Sequence, residues 1–373
     1  MKDTPLPYPA LDLQQLKVFP LEERNSRTRI DEILINPSSP LPECSDELDQ
    51  IVSRCADSIQ RAREKNASVM LIYGAHLLRN GAGAILERLM AENWITHVAT
   101  NGAGTIHDWE FSFLGKSSEC VRSNVATGSF GTWDETGKNI HLALLSGGLS
   151  GLGYGQALGR FIMEDGCSFP SVDSVLESLK SDLDSPRTSA LADLLKAYRR
   201  GSIPTQELNV SHPWKQASII GQAYRHGVPL TVHPGIGYDI IANHPMFDGA
   251  VIGRAAEIDF RVFGKAVANL EEGVVLSIGS AIMGPQVFEK SLSCVNNLRL
   301  QTQKPIITNH QIYVVDLQDG GRWDWSKGEP PKTNPAYYLR FCKSYARMGG
   351  TMNYACMDNT AFVHRLYQKL ENI

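Results

Sequence analysis

His97-Val98-Ala99-Thr100-Asn101-Gly102-Ala103-Gly104-Thr105-Ile106-His107-Asp108-Trp109-Glu110 decides the reading of this chain. Its first four residues read as a short buried strand, and an amphipathic helix over roughly 82–93 precedes them. A strand that runs into small residues and then a dense polar group is how open α/β sheets build ligand sites at their carboxyl ends. Gly102 and Gly104 carry no Cβ, so a ligand could approach the backbone closely. His107, Asp108 and Glu110 then place an imidazole and two carboxylates within four residues. The expectation is a glycine turn carrying a site rather than a turn followed by solvated charge.

Working outward, Val69-Met70-Leu71-Ile72-Tyr73 is a continuous apolar strand broken by Gly74-Ala75-His76, and a helix over about 45–65 precedes it. The same rhythm returns in the second half. Strands are expected at 229–232, 274–278 and from 306, with helices over 256–269 and 285–298 between them. Two long helices over 335–348 and 358–370 should finish the chain. Short apolar strands alternating with helices imply a parallel sheet covered on both faces, a doubly wound, Rossmann-like α/β fold. The Gly-rich tract Leu145-Ser146-Gly147-Gly148-Leu149-Ser150-Gly151-Leu152-Gly153-Tyr154-Gly155 lacks the Gly-Lys-Ser/Thr ending of a P-loop and reads as a lid or linker. The Pro-rich residues 1–44 are expected as an arm packing on the body or on a neighbouring subunit, and 45–373 as one large domain.

Composition excludes several classes. The 373 residues are 42% hydrophobic and 20% charged, as in a globular protein with a sizeable core. A net charge of −4 without a basic run argues against nucleic acid. No apolar run approaches the length of a membrane span. Seven dispersed cysteines without a Cys-x-x-Cys pair point to reduced thiols and a cytoplasmic location.

Three further strand ends could converge with the opening tract. Gly74-Ala75-His76 is one, and Gly279-Ser280-Ala281 before the helix at Pro285 is a second, a natural anion seat. The third is His233-Pro234-Gly235-Ile236-Gly237-Tyr238-Asp239, dense in functional groups directly after a strand. His107 and His233 are the acid/base candidates, and Asp239, Glu110 and Asp108 the carboxylates that would stabilise a cationic nitrogen. His233, Asp239 and His244 also offer the ligand types of a metal-assisted lyase or hydrolase. A non-catalytic metabolite-binding protein is the other alternative.

Taken in order, these tracts resemble the deoxyhypusine synthase family over nearly the whole chain. Tyr73-Gly74-Ala75-His76-Leu77-Leu78-Arg79-Asn80-Gly81 is similar to its Gly-Tyr-Thr-Ser-Asn-Leu stretch, and Thr100 to Gly104 with His107-Asp108 to its Thr-Thr-Ala-Gly-Gly stretch. Glu110-Phe111-Ser112-Phe113-Leu114-Gly115-Lys116 resembles Glu-Phe-Ser-Leu-Arg-Gly-Lys, and Ile278 to Ala281 stands at the family's triple-glycine turn. The resemblance implies a sheet binding NAD and a homotetramer with sites near subunit interfaces. Gly74, Ala75, His76, Thr100, Asn101, Gly102, Ala103, Gly279 and Ser280 would hold the cofactor, with Asp108 fixing a ribose hydroxyl. The family's acceptor lysine lies in a Trp-Gly-Lys-Ile context that this chain lacks; Lys343 is the nearest positional candidate and reads as a helix-surface charge. The resemblance therefore implies a kept cofactor scaffold and a rebuilt pocket for a small amine or amino acid, rather than deoxyhypusine synthesis.

Overall fold

The structure, a computed structural model, describes residues 8–319, 321 and 323–372. The apolar runs become a parallel sheet of β1 (Val69–Tyr73), β2 (His97–Thr100), β3 (Leu230–Val232), β4 (Val274–Ile278), β5 (Gln311–Asp316) and β6 (Thr351–Cys356). Their order is β6-β5-β4-β1-β2-β3. The chain starts in the middle, steps out to β3, and returns to the other side of β1 for the last three strands. This is the doubly wound arrangement in which strand order reverses between β1 and β4, and ligands bind in the crevice that the reversal opens.

Every residue of β1 and β4 is buried, which explains why β1 is an unbroken apolar run and β4 is apolar at all but Ser277, rather than alternating. Alternate side chains leave opposite faces of a strand. Val69, Leu71 and Tyr73 therefore pack with the helices Asp46–Glu64 and Asn359–Glu371. Met70 and Ile72 pack with Phe263 and Val267 of Gly249–Ala268 and Phe288 and Leu292 of Met283–Gln301. The arm lies on this body: Leu21 and Ile30 are buried, and Thr28–Arg29 pairs antiparallel with Lys116–Ser117.

Three expectations are corrected. The Gly-rich tract is no lid, because it belongs to the helices Asp134–Leu149 and Tyr154–Met163 and the turn between them. A Cβ on Gly147 would run into Ala157, one on Gly148 into the Arg254 guanidinium, and one on Gly155 into the Leu230 carbonyl. These glycines permit close helix packing. The strand expected from 306 begins at Gln311, and the helix expected over 335–348 is a 3-10 turn, Pro335–Tyr338, followed by the short helix Arg340–Tyr345. One strand is unanticipated: β6 has no apolar run to announce it, its ends being exposed and Asn353 and Tyr354 half-buried.

Candidate active site

The opening tract folds differently from a turn. Asn101 caps a helix, Gly102–Leu114, by accepting a hydrogen bond from Gly104 N–H at 2.9 Å. His107, Asp108 and Glu110 thus stand on a helix, and helical spacing sends them apart. His107 and Glu110, three residues apart, share one face. Asp108 points the other way, is fully buried, and accepts from Ile220 N–H at 2.7 Å. It therefore cannot reach a ribose hydroxyl, and that expectation is withdrawn.

Glu110 is also fully buried. Arg24, from the N-terminal arm, grips it with both terminal nitrogens at 2.7 and 2.8 Å, and Thr136 Oγ1 donates to it at 3.0 Å. Ser117 Oγ donates to its second oxygen at 2.5 Å and lies 2.7 Å from His107 Nδ1. A carboxylate held by a guanidinium fork only accepts hydrogen bonds, so the single Ser117 proton goes to Glu110. Ser117 Oγ then accepts from His107, which assigns the His107 proton to Nδ1. Nε2 is left with a free lone pair and has no hydrogen-bond partner among the described residues. Burial is the main cause that pushes the His107 pKa down to about 4, with Arg79, Arg24 and His76 also opposing its protonation and Glu110 favouring it. The ring is a neutral base at ordinary pH.

His107 opens onto a cavity of about 260 Å³ whose wall also includes Arg24, Arg79, Glu119, Tyr238 and Asp239. Asp239 lies against the start of the same helix, where a Cβ on Gly102 would overlap its carboxylate. It accepts from Gly235 N–H at 2.7 Å, and burial raises its pKa above the usual carboxylate range. Ala103 lines the cavity as well.

Beside this cavity lies the crevice between β1 and β4. A Cβ on Gly74 would meet the Gly279 carbonyl, and Gly279, at φ +60°, leaves room for the Asn359 amide. Ser280 Oγ accepts from Gly284 N–H at 3.1 Å. Asn359 Oδ1 and Thr360 Oγ1, at the start of the Asn359–Glu371 helix, are buried without a partner. Ala75 and the exposed His76 open the short helix after β1. Thr100 is turned inward, donating to Tyr73 O at 3.1 Å.

Other expected site residues fall elsewhere. His233 packs edge-on against Phe263, 5.2 Å between ring centres, with Nε2 3.2 Å from Thr231 Oγ1, and burial pushes it down to about 4. It does not line the cavity. His244 stacks on His141 and lies 3.4 Å from Asp134. His233, Asp239 and His244 are not brought together, and among the described residues no group of three or more His, Cys, Asp or Glu could hold a metal ion. That corrects the metal-assisted alternative. The Lys343 ammonium stands 3.8 Å from the centre of the Tyr337 ring, in a cation–π contact outside the cavity wall. Arg24, Arg79, Ser117 and Glu119 were not anticipated. Arg79 and Ser117 lie within or next to stretches singled out in the sequence, whereas nothing near Arg24 or Glu119 marks them.

Asp108 yields a test of this geometry. Burial pushes its carboxyl from 3.8 up to about 7, so between those values the folded chain holds a proton that the unfolded chain has lost. The contribution of Asp108 to stability should therefore fall as pH rises from about 4 to 7, by about 1.4 kcal/mol per unit while the difference is one proton, against the opposite trend of the buried histidines. Asp108→Asn is expected to remove one such share from the slope of urea midpoints against pH. Asp259, also pushed up to about 7, retains its own. Equal slopes in the two proteins would refute the assignment.

No family model matches the chain, and no curated protein matches it. Among solved structures it is similar to unliganded AgrE, at 13% identity and a TM-score of 0.43, over 89% of this chain and 34% of that one. The chain thus spans about a third of the length of AgrE, a protein also solved in a ternary complex with ornithine and NAD+. It is similar to a Methanococcus maripaludis protein assigned to the LOR/SDH type, at 12% identity and TM-score 0.41, over 95% and 74% of the two chains. An Entamoeba histolytica protein assigned as a deoxyhypusine synthase gives 8% identity and TM-score 0.37 over 88% and 90%. The fold assignment rests on the strand order itself. Among the described residues no helix is long and apolar enough to cross a membrane.

Proposed function

We propose that this protein is an enzyme that binds NAD at the carboxyl edge of its sheet and acts at the C–N centre of a small amine or amino acid, outside deoxyhypusine synthesis. The observation that carries this reading is the Glu110–Ser117–His107 hydrogen-bond chain, which leaves an unprotonated Nε2 at a cavity that Asp239 shares. In this reading His107 Nε2 takes a proton from the substrate nitrogen, and Asp239 offsets positive charge developing there. Glu110 acts through Ser117 as a positioning residue that holds the ring and its tautomer. His233 and Lys343 have no part in it.

The residues of the crevice fit a dinucleotide. Gly74 and Gly279 bring the backbone close at the strand-order reversal, and Asn359 Oδ1 and Thr360 Oγ1 are buried polar atoms that lack a partner. With Ala75, His76, Ser280, Asn101, Gly102 and Ala103, they are the groups that would hold NAD. When bound, NAD would supply a hydride acceptor for the carbon next to the substrate nitrogen. The cysteines of the described chain are free thiols, which supports a cytoplasmic setting. Exposed Val121 and Tyr238 in the cavity wall support subunit packing there, in keeping with a homotetramer; light scattering measures that mass.

Titration of the full chain with NAD and NADH by calorimetry should give saturable binding. Asn359→Ala should weaken it about five- to ten-fold, the loss of one polar contact. Absence of heat and of any thermal shift with either ligand at millimolar concentration would refute the cofactor reading.

A further inference from the structure

The charges of the cavity are unevenly paired, and that unevenness describes a ligand. Of its two arginines, Arg24 is fully engaged: both terminal nitrogens hold Glu110 and Nε donates to Ser26 Oγ at 3.1 Å. Arg79 is not. It makes no hydrogen bond or ion pair among the described residues, and its Nε is buried without a partner. It lies close enough to His107 to disfavour protonation of that ring. The carboxylates show the reverse imbalance. Asp239 accepts only from Gly235 N–H. Glu119 accepts only from neutral donors: Asn124 Nδ2 at 2.5 Å, Trp133 Nε1 at 3.0 Å and Gly131 N–H at 3.3 Å. Among the described residues neither has a cationic partner.

A half-buried guanidinium without an acceptor is costly, and its planar fork matches a carboxylate. One free cation and two carboxylates without cations are the complement of a molecule with one carboxylate and two ammonium groups. At about 260 Å³ the cavity is below the roughly 300–1,000 Å³ that drug-sized ligands occupy, so the molecule is small. The geometry points to a diamino monocarboxylic acid as the ligand of this cavity, with Arg79 clamping its carboxylate and Asp239 and Glu119 receiving its two ammonium groups. This rests on the proposed function only in taking the cavity as the substrate site. The clamp at Arg79 is an anion site, and a dinucleotide phosphate is the other source of such an anion.

Calorimetry on the full chain, with and without saturating NAD, separates these. The probes are L-lysine and L-ornithine, the corresponding diamines cadaverine and putrescine, and L-norvaline, which lacks the second ammonium. The wild type should bind one of the diamino acids at least ten-fold more tightly than its diamine and than norvaline. Arg79→Ala should lose about 10- to 100-fold in diamino-acid affinity, the contribution of a charge-assisted pair, with little change for the diamine. Arg79→Lys should recover part of that loss, and thermal melts establish that both variants fold. Asp239→Asn should erode the preference over norvaline. Equal affinity for diamine and diamino acid would overturn the proposal. So would an Arg79→Ala protein that loses NAD affinity while keeping that for the amino acid, which assigns Arg79 to a phosphate. Binding of NAD with none of the amines or amino acids would also overturn it. Diamino-acid binding without any response to NAD would support the clamp and refute the cofactor reading alone.

Discussion

Arg24→Ala is expected to lower the unfolding free energy by about 3–5 kcal/mol, the cost of leaving a buried charge without its partner. The Arg24 and Glu110 side chains are 2% and 0% exposed, so the pair is shielded from bulk water in the folded chain. Arg24 also belongs to the N-terminal arm, and its removal takes away one polar anchor of a segment whose apolar anchors include Leu21 and Ile30. A companion variant separates charge from packing. Arg24→Ala combined with Glu110→Gln removes the stranded charge and should recover a substantial part of the loss. Urea denaturation of the single and double variants measures both. A loss under about 1 kcal/mol for Arg24→Ala would place this pair with solvent-screened surface bridges and refute its burial.

His107→Ala is expected to reduce turnover by about 10²- to 10⁴-fold, the usual contribution of a positioned acid/base group. Affinity for NAD should be unchanged, since the ring faces the cavity rather than the β1/β4 crevice. Because burial holds His107 near pKa 4, the base form persists over the whole neutral range, and activity limited by it should decline only as pH falls towards about 4. Ser117→Ala should keep the fold and lose part of the rate, because the ring then loses the acceptor that fixes its proton on Nδ1. Formation of reduced dinucleotide in the presence of the amine and amino-acid probes gives the rate. Unaltered turnover in His107→Ala, or an acid limb centred near pH 6.5, would assign the base elsewhere.

Much of the fold was legible in the residues. Apolar runs such as Val69–Tyr73 and Val274–Ile278, the latter interrupted only by Ser277, read as buried parallel strands because both of their faces are covered. The strand Thr351–Cys356 was illegible for the converse reason, its pattern being mixed because its side chains are only partly covered. Glycine misled at 145–155: a missing Cβ suits a turn and a close helix contact equally, and only the partner decides between them. Of the site, His107, Glu110 and Asp239 were visible as chemistry, while Arg24, Ser117 and Arg79 were not. Arg24 stands 86 positions before the carboxylate it holds, and no local spacing reports such a pair.

By itself, then, the sequence determined the parallel α/β class, the positions of β1 to β4, and a concentration of ionisable groups after β2. Each follows from local periodicity, which depends on how a short segment meets water on its two sides. Tertiary structure alone decided which of those groups share a cavity. The tract after β2 coils into a helix, whose 3.6-residue repeat sends His107 and Glu110 to one side and Asp108 to the other. It also decided their protonation and pairing. Burial and opposite charge act through space, so the arm's Arg24, the Ser117 hydroxyl and the uncompensated Arg79 acquire their roles only when the chain closes around them.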